Sequence, residues 1–295
     1  MFSIQSAANQ FLTNLSALEQ RLNKSNQQVS SGLRVQTVSD DPAVVTEILQ
    51  LNARIASNNQ VKTNLGEVQT EVNAAEQAIN TATTLMDRAV QVATAGSSSA
   101  SSVDRTQLAQ QIRDIITEMQ QLANTQVAGR YVFSGDSDQQ APYPNNVTTY
   151  AGSSNTRSVV DAYGQQISIA LTAQDIFDGG PAGTLTTSVF QSLTDLYNTL
   201  TLSNTPTTTQ ISNIQSAADY LNAQQAHYGD IQNRLADALT TQTSLDTSLG
   251  AQLSNLQDAD EAQAITQQQT DNTALTAAEA AYASFPKKSL FDYLA

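Results

Sequence analysis

The 295-residue chain has no cysteine and no tryptophan. Without cysteine there are no disulfides, no thiolate metal sites and no cysteine nucleophile. A single histidine, His227, excludes a histidine-dependent triad and a multi-histidine metal site. Aromatic residues are only 5%, so long helices packed side by side are expected rather than one large compact core. Charged residues are 14%, well under the roughly 25% of an average domain. Positive charge is scarcest, with 13 basic against 27 acidic residues and a net charge of −14. Nucleic acid and anionic membrane surfaces are therefore not expected partners. No apolar run approaches the roughly 20 residues of a membrane span. The opening residues 1–11 lack a basic region followed by an apolar one, so no Sec-type signal peptide is expected there. No glycine-rich phosphate loop leads into a lysine, and no cofactor is expected.

What the chain does have is helical periodicity with a thin apolar stripe. Phe11, Leu15, Leu18, Leu22, Ser25 and Val29 step alternately by four and three residues, the a/d seam of a heptad repeat. A stripe this narrow needs a partner helix, in this chain or in another copy. The helix is expected to stop at Ser30-Ser31-Gly32, where glycine suits the left-handed position after a helix end. A second helix is expected from Ser39-Asp40-Asp41-Pro42, with Asp41 capping free N–H groups and Pro42 at the first helical position. Its stripe runs from Val44 through Ile48, Leu51 and Ile55 to Ala89, with Asn58 and Lys62 as polar seam positions, which lower stability but can set register. A small-residue loop at 96–102 leads into a returning helix over Leu108–Leu122, which predicts a helical hairpin.

At Gly129 the pattern changes. Residues 135–183 hold six of the 12 glycines and three of the six prolines, and helical periodicity is lost. Tyr131–Phe133, Thr148–Tyr150, Ser158–Val160 and Gln166–Leu171 read as short strands between turns. Helix returns at Ser188 and breaks at Asn204-Thr205-Pro206. A last tract starts near Thr209. Its stripe runs from Ile211 to Leu245, Leu249, Leu253 and Leu256, then thins to Ile265, Leu275, Ala278, Tyr282 and Phe285. The expected fold is mainly α. Long N- and C-terminal helices pair in a coiled-coil-like bundle, and a small β-rich insert projects in mid-chain. Residues 1–42 with 257–295 are expected to form the terminal helices, 43–134 with 187–256 the bundle body, and 135–186 the insert. The N-terminal seam is expected to dock on the stripe from Ile231 to Leu256 and on the weaker one to Phe285. Roughly the first and last 40 residues are expected to be loose in the monomer and to order on assembly, because weakly packed helices are marginal in water.

No constellation of an active site emerges. His227, beside Tyr228, reads as packing or surface. Asp40-Asp41 reads as a capping pair rather than converging catalytic carboxylates. Asp136 and Asp138 lack the bidentate glutamate of a calcium loop, and Asp258, Asp260 and Glu261 read as a solvated helix face. Asn146-Val147-Thr148 fits a glycosylation sequon, a short and weak pattern. The insert's few ionisable groups (Asp136, Asp138, Arg157, Asp161, Asp175 and Asp178) give little basis for catalysis.

Ser30-Ser31-Gly32-Leu33-Arg34 followed by Ser39-Asp40-Asp41-Pro42 resembles the flagellin superfamily of bacterial flagella. The match of plan covers nearly the whole chain. Asp40-Asp41-Pro42, then Gly129-Arg130-Tyr131-Val132-Phe133-Ser134-Gly135, then Lys288–Leu294 are similar to the branch found at the hook–filament junction; flagellins usually have Asp-Asp-Ala-Ala-Gly at the first of these. The resemblance implies a structural, non-enzymatic adaptor layer, with other copies of itself in a ring, hook-associated protein 1 and flagellin as neighbours, and a cytoplasmic export chaperone. It also implies type III export to an extracellular place in the flagellum, with no cofactor. A short flagellin that builds the filament itself is the alternative.

Overall fold

The computed structural model describes residues 2–98, 102–145, 147, 149–161, 163–179 and 185–283. Its elements in chain order are α1 (Phe2–Ser31), α2 (Pro42–Ser97), α3 (Ser102–Ala123), β1 (Gln126–Val127), β2 (Arg130–Tyr131), β3 (Ser158–Val160), β4 (Gln166–Ser168), α4 (Ala173–Phe177), α5 (Val189–Thr201), α6 (Thr208–Gln257) and α7 (Glu261–Ala283). The mainly helical fold with a small mid-chain sheet insert is as the periodicity predicts. The chain forms two compact units. One joins its ends, Met1–Ala56 with Asp246–Ala295; the other is Ser57–Leu245.

The Ser57–Leu245 unit has one apolar core. Leu65, Val72, Ile79 and Met86 of α2, Ile112, Ile115 and Met119 of α3, Phe190, Leu193 and Leu196 of α5 and Ile214, Leu221, Ile231 and Leu235 of α6 all join it. Local signals set the helix starts. Ser188 caps α5 by accepting from Gln191 N at 3.1 Å. Ahead of α6, Thr207 and Gln210 bond reciprocally, Gln210 N to Thr207 Oγ1 at 3.2 Å and Thr207 N to Gln210 Oε1 at 3.0 Å, a capping box.

The mid-chain segment holds less strand than expected and carries much of the core's aromatic content. Among its described residues only β3 and β4 pair, Val159 opposite Ile167, and Thr148 of the expected strand lies outside the described residues. Thr149 and Tyr150 are irregular, because the Tyr150 hydroxyl donates to Ser153 O at 2.8 Å and curls the chain. Residues 173–177, unassigned by periodicity, form the one-turn helix α4, with Thr172 and Asp175 as a capping box. Phe133 meets Phe177 and Tyr228 edge-on, both at 6.5 Å, and Phe190 lies 5.0 Å from Tyr143 and 5.3 Å from Phe177. Buried Tyr143 is fixed at both ends. Its carbonyl accepts from Gln120 Nε2 and Asn124 Nδ2, each at 2.9 Å, and its hydroxyl donates to Asp178 Oδ2 at 3.0 Å. Burial raises the Asp178 carboxyl above its usual range, opposed by hydrogen bonds from Tyr143 and Ser188.

Asn58 of α2 and Gln242 of α6 form a buried amide pair. Gln242 Nε2 donates to Asn58 O at 2.8 Å and Asn58 Nδ2 to Gln242 O at 3.3 Å. Asn58 is thus a seam residue as the spacing predicts, and its partner Gln242, lying between Leu239 and Leu245, is polar and so unmarked by an apolar stripe.

Two stability measurements follow. Gly135 has φ +66°, and a Cβ there would lie 2.4 Å from Ser153 O and 2.6 Å from Asn155 O. Gly135→Ala should cost at least about 2 kcal/mol in urea unfolding, from the left-handed backbone and the clash together; wild-type stability would refute this. Asp178 is protonated more readily folded than unfolded, so its contribution falls as pH rises through the unfolded and then the folded pKa. Asp178→Asn should therefore gain stability relative to wild type at pH 7 compared with its standing at acid pH. Parallel curves for the two proteins across that range would refute it.

Candidate functional site

The unit made from the chain's two ends is where the candidate residues converge. On α1, Phe11, Leu15, Leu22 and Val29 are half-buried, Leu18 and Ser25 are buried, and from residue 9 to residue 27 every other side chain is exposed. The partner of α1 is α7, running antiparallel to it. The Phe11 and Tyr282 rings stack at 5.5 Å and 12°. Further along, Arg21 meets Asp271 at 3.3 Å, and Gln268 Nε2 donates to Asn26 Oδ1 at 2.6 Å. As numbers rise on one helix they fall on the other.

The seam of α7 differs from the one expected. Ile265 is exposed at 41%. The covered positions are Ala264, Gln268, Asp271, Leu275 and Ala278, spaced by four and three. Asp271 is 1% exposed, and its Oδ2 is buried without a hydrogen-bond partner. The heptad spacing through these positions was present in the sequence; their polar side chains concealed it. Tyr282 is half-exposed outside its stack with Phe11, and Phe285 lies outside the described residues. The stripe containing Leu245 (half-buried), Leu249 (buried), and Leu253 and Leu256 (half-buried) belongs to α6.

The last helical tract is not continuous either. It breaks at residues 258–260, and the acids read as a solvated face make the break. Asp260 caps α7, its Oδ1 accepting from Gln263 N at 3.0 Å, and Glu261 occupies the favourable first turn. Asp258 forms an antiparallel bridge with Leu33.

The loop after α1 clamps this break. Ser31 ends α1, and Gly32 takes φ +73°, its N–H bonding Gln28 O at 2.9 Å. Gly32 O accepts from Ala259 N at 2.8 Å, Arg34 N donates to Gln257 O at 2.7 Å, and Arg34 Nη2 donates to Leu256 O at 2.6 Å. The loose carbonyls at the end of α6 are thus satisfied from the other end of the chain. Pro42 is the first residue of α2, as expected, but the acids before it work differently. The Asp41 carboxylate turns to Arg34 at 3.2 Å, and it is the Asp41 carbonyl that accepts from Val44 and Val45. Asp40 closes the loop on itself, accepting from Thr37 N at 2.9 Å and Gln36 N at 3.1 Å, with Lys24 at 3.6 Å. Those backbone donors hold its carboxyl below the usual range.

The second motif lies in the Ser57–Leu245 unit. Ala128 (φ 50°) and Gly129 (φ 79°) form a two-residue turn with both residues left-handed, as a tight hairpin between β1 and β2 demands. Arg130 donates to Glu71 of α2 at 2.9 Å, and Arg157 Nη2 lies 2.8 Å from the other Glu71 oxygen, an ion contact outside hydrogen-bond geometry. Asp138 completes the network, 3.5 Å from Arg130 and 3.9 Å from Arg157. Tyr131 N donates to Asp138 O, and Phe133 sits in the aromatic core. Glu71 was missed because nothing local marks an acid on a helix as the partner of arginines 59 and 86 residues away. No group of three or more metal-ligating acids or histidines occurs among the described residues.

Comparison with known proteins agrees with this arrangement. Hook-associated protein 3 of Escherichia coli is 28% identical over 180 residues, 60% of this chain and 56% of that protein. The chain spans about half the length of the curated relatives it matches. A flagellar hook-associated protein from Vibrio parahaemolyticus shares the fold at TM-score 0.66 and 18% identity, over 74% of this chain and 100% of that one. Hook-associated protein 3 of Legionella pneumophila gives 0.60 at 16%, over 71% and 98%. The bacterial flagellin N-terminal helical region matches residues 2–138, and the bacterial flagellin C-terminal helical region matches residues 211–294. With both characteristic helical regions present at its two ends, the chain belongs to the bacterial flagellin family.

Proposed function

We propose that this chain is a structural, non-enzymatic component of the bacterial flagellum, an adaptor layer joining the hook, through hook-associated protein 1, to the flagellin filament. Copies of the chain form the layer as a ring. The carrying observation is the α1–α7 pair, built from the chain's two ends with a seam too thin and too polar for a stable free bundle. In this reading Phe11, Leu15, Leu18, Leu22 and Val29, with Leu245, Leu249, Leu253, Leu256, Tyr282 and Phe285, supply the assembly interface. Residues 1–42 and 257–295 act as terminal helices that order on assembly, 43–134 with 187–256 as the body, and 135–186 as the outward insert. The chain leaves the cell unfolded by type III export, with a cytoplasmic chaperone beforehand. Lack of cysteine suits that route, since no cross-link can block threading. The resemblance of Asp40-Asp41-Pro42 and Gly129-Arg130-Tyr131 to the junction branch supports adaptor over filament subunit.

The flagellin-family match itself favours one second reading, a short flagellin. Immunogold labelling of isolated flagella separates the two. Label confined to the hook–filament boundary is expected, and label along the filament would replace the adaptor with a flagellin. A deletion strain should bear hooks without filaments and spill flagellin into the medium; filaments of normal length would overturn the adaptor. In the purified monomer, hydrogen exchange should be fast over the first and last 40 or so residues, as expected for weakly packed helices. Strong protection at both ends would refute ordering on assembly.

A further inference from the structure

We infer that the Asn58–Gln242 amide pair is a boundary of cooperative unfolding, so that the stretches of α2 and α6 beyond it open separately from the core of the Ser57–Leu245 unit. This rests on the packing alone and holds whether or not the flagellar reading does. Three observations coincide at this level. The apolar core includes Leu65 and Leu235 and ends with the partly buried Val61 and Leu239. The next fully buried positions along the two helices are Asn58 and Gln242, 5% and 1% exposed. The division of the chain into two compact units falls beside them, after Ala56 and after Leu245.

Neither helix is interrupted there: α2 runs unbroken from Pro42 to Ser97 and α6 from Thr208 to Gln257. A loop therefore does not explain the division; a change in the chemistry of the seam does. Apolar layers add burial free energy to each other as they stack. An amide layer adds little net, because its hydrogen bonds replace bonds to water. This one also leaves Gln242 Oε1 buried without a partner, an uncompensated desolvation. Past such a layer the buried apolar positions thin to Ile48 and Leu51 on α2 and Leu249 on α6, and helix fraying from an end needs no new nucleus, so it proceeds until denser packing arrests it. The arrest comes at Val61 and Leu239, not at the loop near residue 40.

Native-state hydrogen exchange of the full-length monomer at increasing urea tests this. In wild type, amides of residues 48–56 and 246–256 should exchange through an opening with weaker urea dependence than amides of 65–93 and 214–238. In Asn58→Leu/Gln242→Leu, protection of the two outer stretches should rise about tenfold to hundredfold toward the core's, the factor expected for apolar burial at that layer. A wild type that opens as a single unit overturns the inference. So does a Leu pair in which the gap in protection persists. If the Leu pair misfolds by circular dichroism, Asn58→Met/Gln242→Met, with unbranched side chains of similar length, reads the same gap. Failure of both pairs to fold would show that the amides hold the core together, which also overturns it.

Discussion

Everything in the unit made from the chain's ends depends on the clamp between residues 32–35 and residues 256–259. Two helix ends leave orphaned carbonyls and N–H groups there, and neither end can satisfy them alone. Gly32 O receives Ala259 N, while Gln257 O and Leu256 O receive the backbone and guanidinium of Arg34. Each break is thereby the other's cap. Joining segments 222 residues apart carries a loop-closure cost, but that cost grows only logarithmically with length. Asn58 and Gln242, already in contact, shorten the effective loop to the residues outside them. The clamp then fixes where α1 and α7 begin to run against each other, and their antiparallel pairing follows.

The mid-chain segment solves a different problem. Its described residues have too little regular structure to hold it, with two strands of three residues and one helix of five. Its stability comes from lending large side chains to the helical core. Tyr143 and Phe177 are fully buried beside Phe133, Phe190 of α5 and Tyr228 of α6, so the segment is held by aromatic packing on the helices. The polar counterpart is Glu71, nearly buried on α2 and held between Arg130 and Arg157. Removing one arginine would leave the buried carboxylate with only the other as its counter-charge, whereas the complete network fixes how the hairpin and the segment meet α2.

Much of this was legible in the sequence. Heptad spacing found the α1 seam residue by residue, and Gly32 and Pro42 mark the helix boundaries for reasons of backbone conformation alone. Asp40 and Asp41 lie beside the helix start as the sequence indicates, but their carboxylates do not cap it. A carboxylate before a helix can cap it, but Arg34 and the Gln36–Thr37 turn compete for the same oxygens and win. The break at 258–260 is hidden because three acids among four residues also suit an exposed helix face; the contacts of Leu33 and Gly32, contributed from far away, distinguish the two. Polar seam positions were the least readable. Gln242, Gln268 and Asp271 sit in register with apolar neighbours, and a hydropathy stripe is blind to them.

Those same polar positions explain why α1–α7 and the core of the Ser57–Leu245 unit, both helical, are different kinds of packing. The core buries Leu, Ile, Met and Phe layer on layer. Across α1–α7, apolar positions share the seam with Ser25, Gln268 and Asp271, and the Asp271 charge is met on one oxygen by an exposed Arg21. A buried charge paired this loosely returns little of its desolvation cost. Among the described side chains of α1, few outside the seam are covered, so the seam carries most of what holds that helix. A helix pair designed for a free-standing bundle would replace Asp271 with leucine. Keeping an acid there leaves the pair with a desolvation cost that its own contacts offset only in part, which an all-apolar seam would not carry.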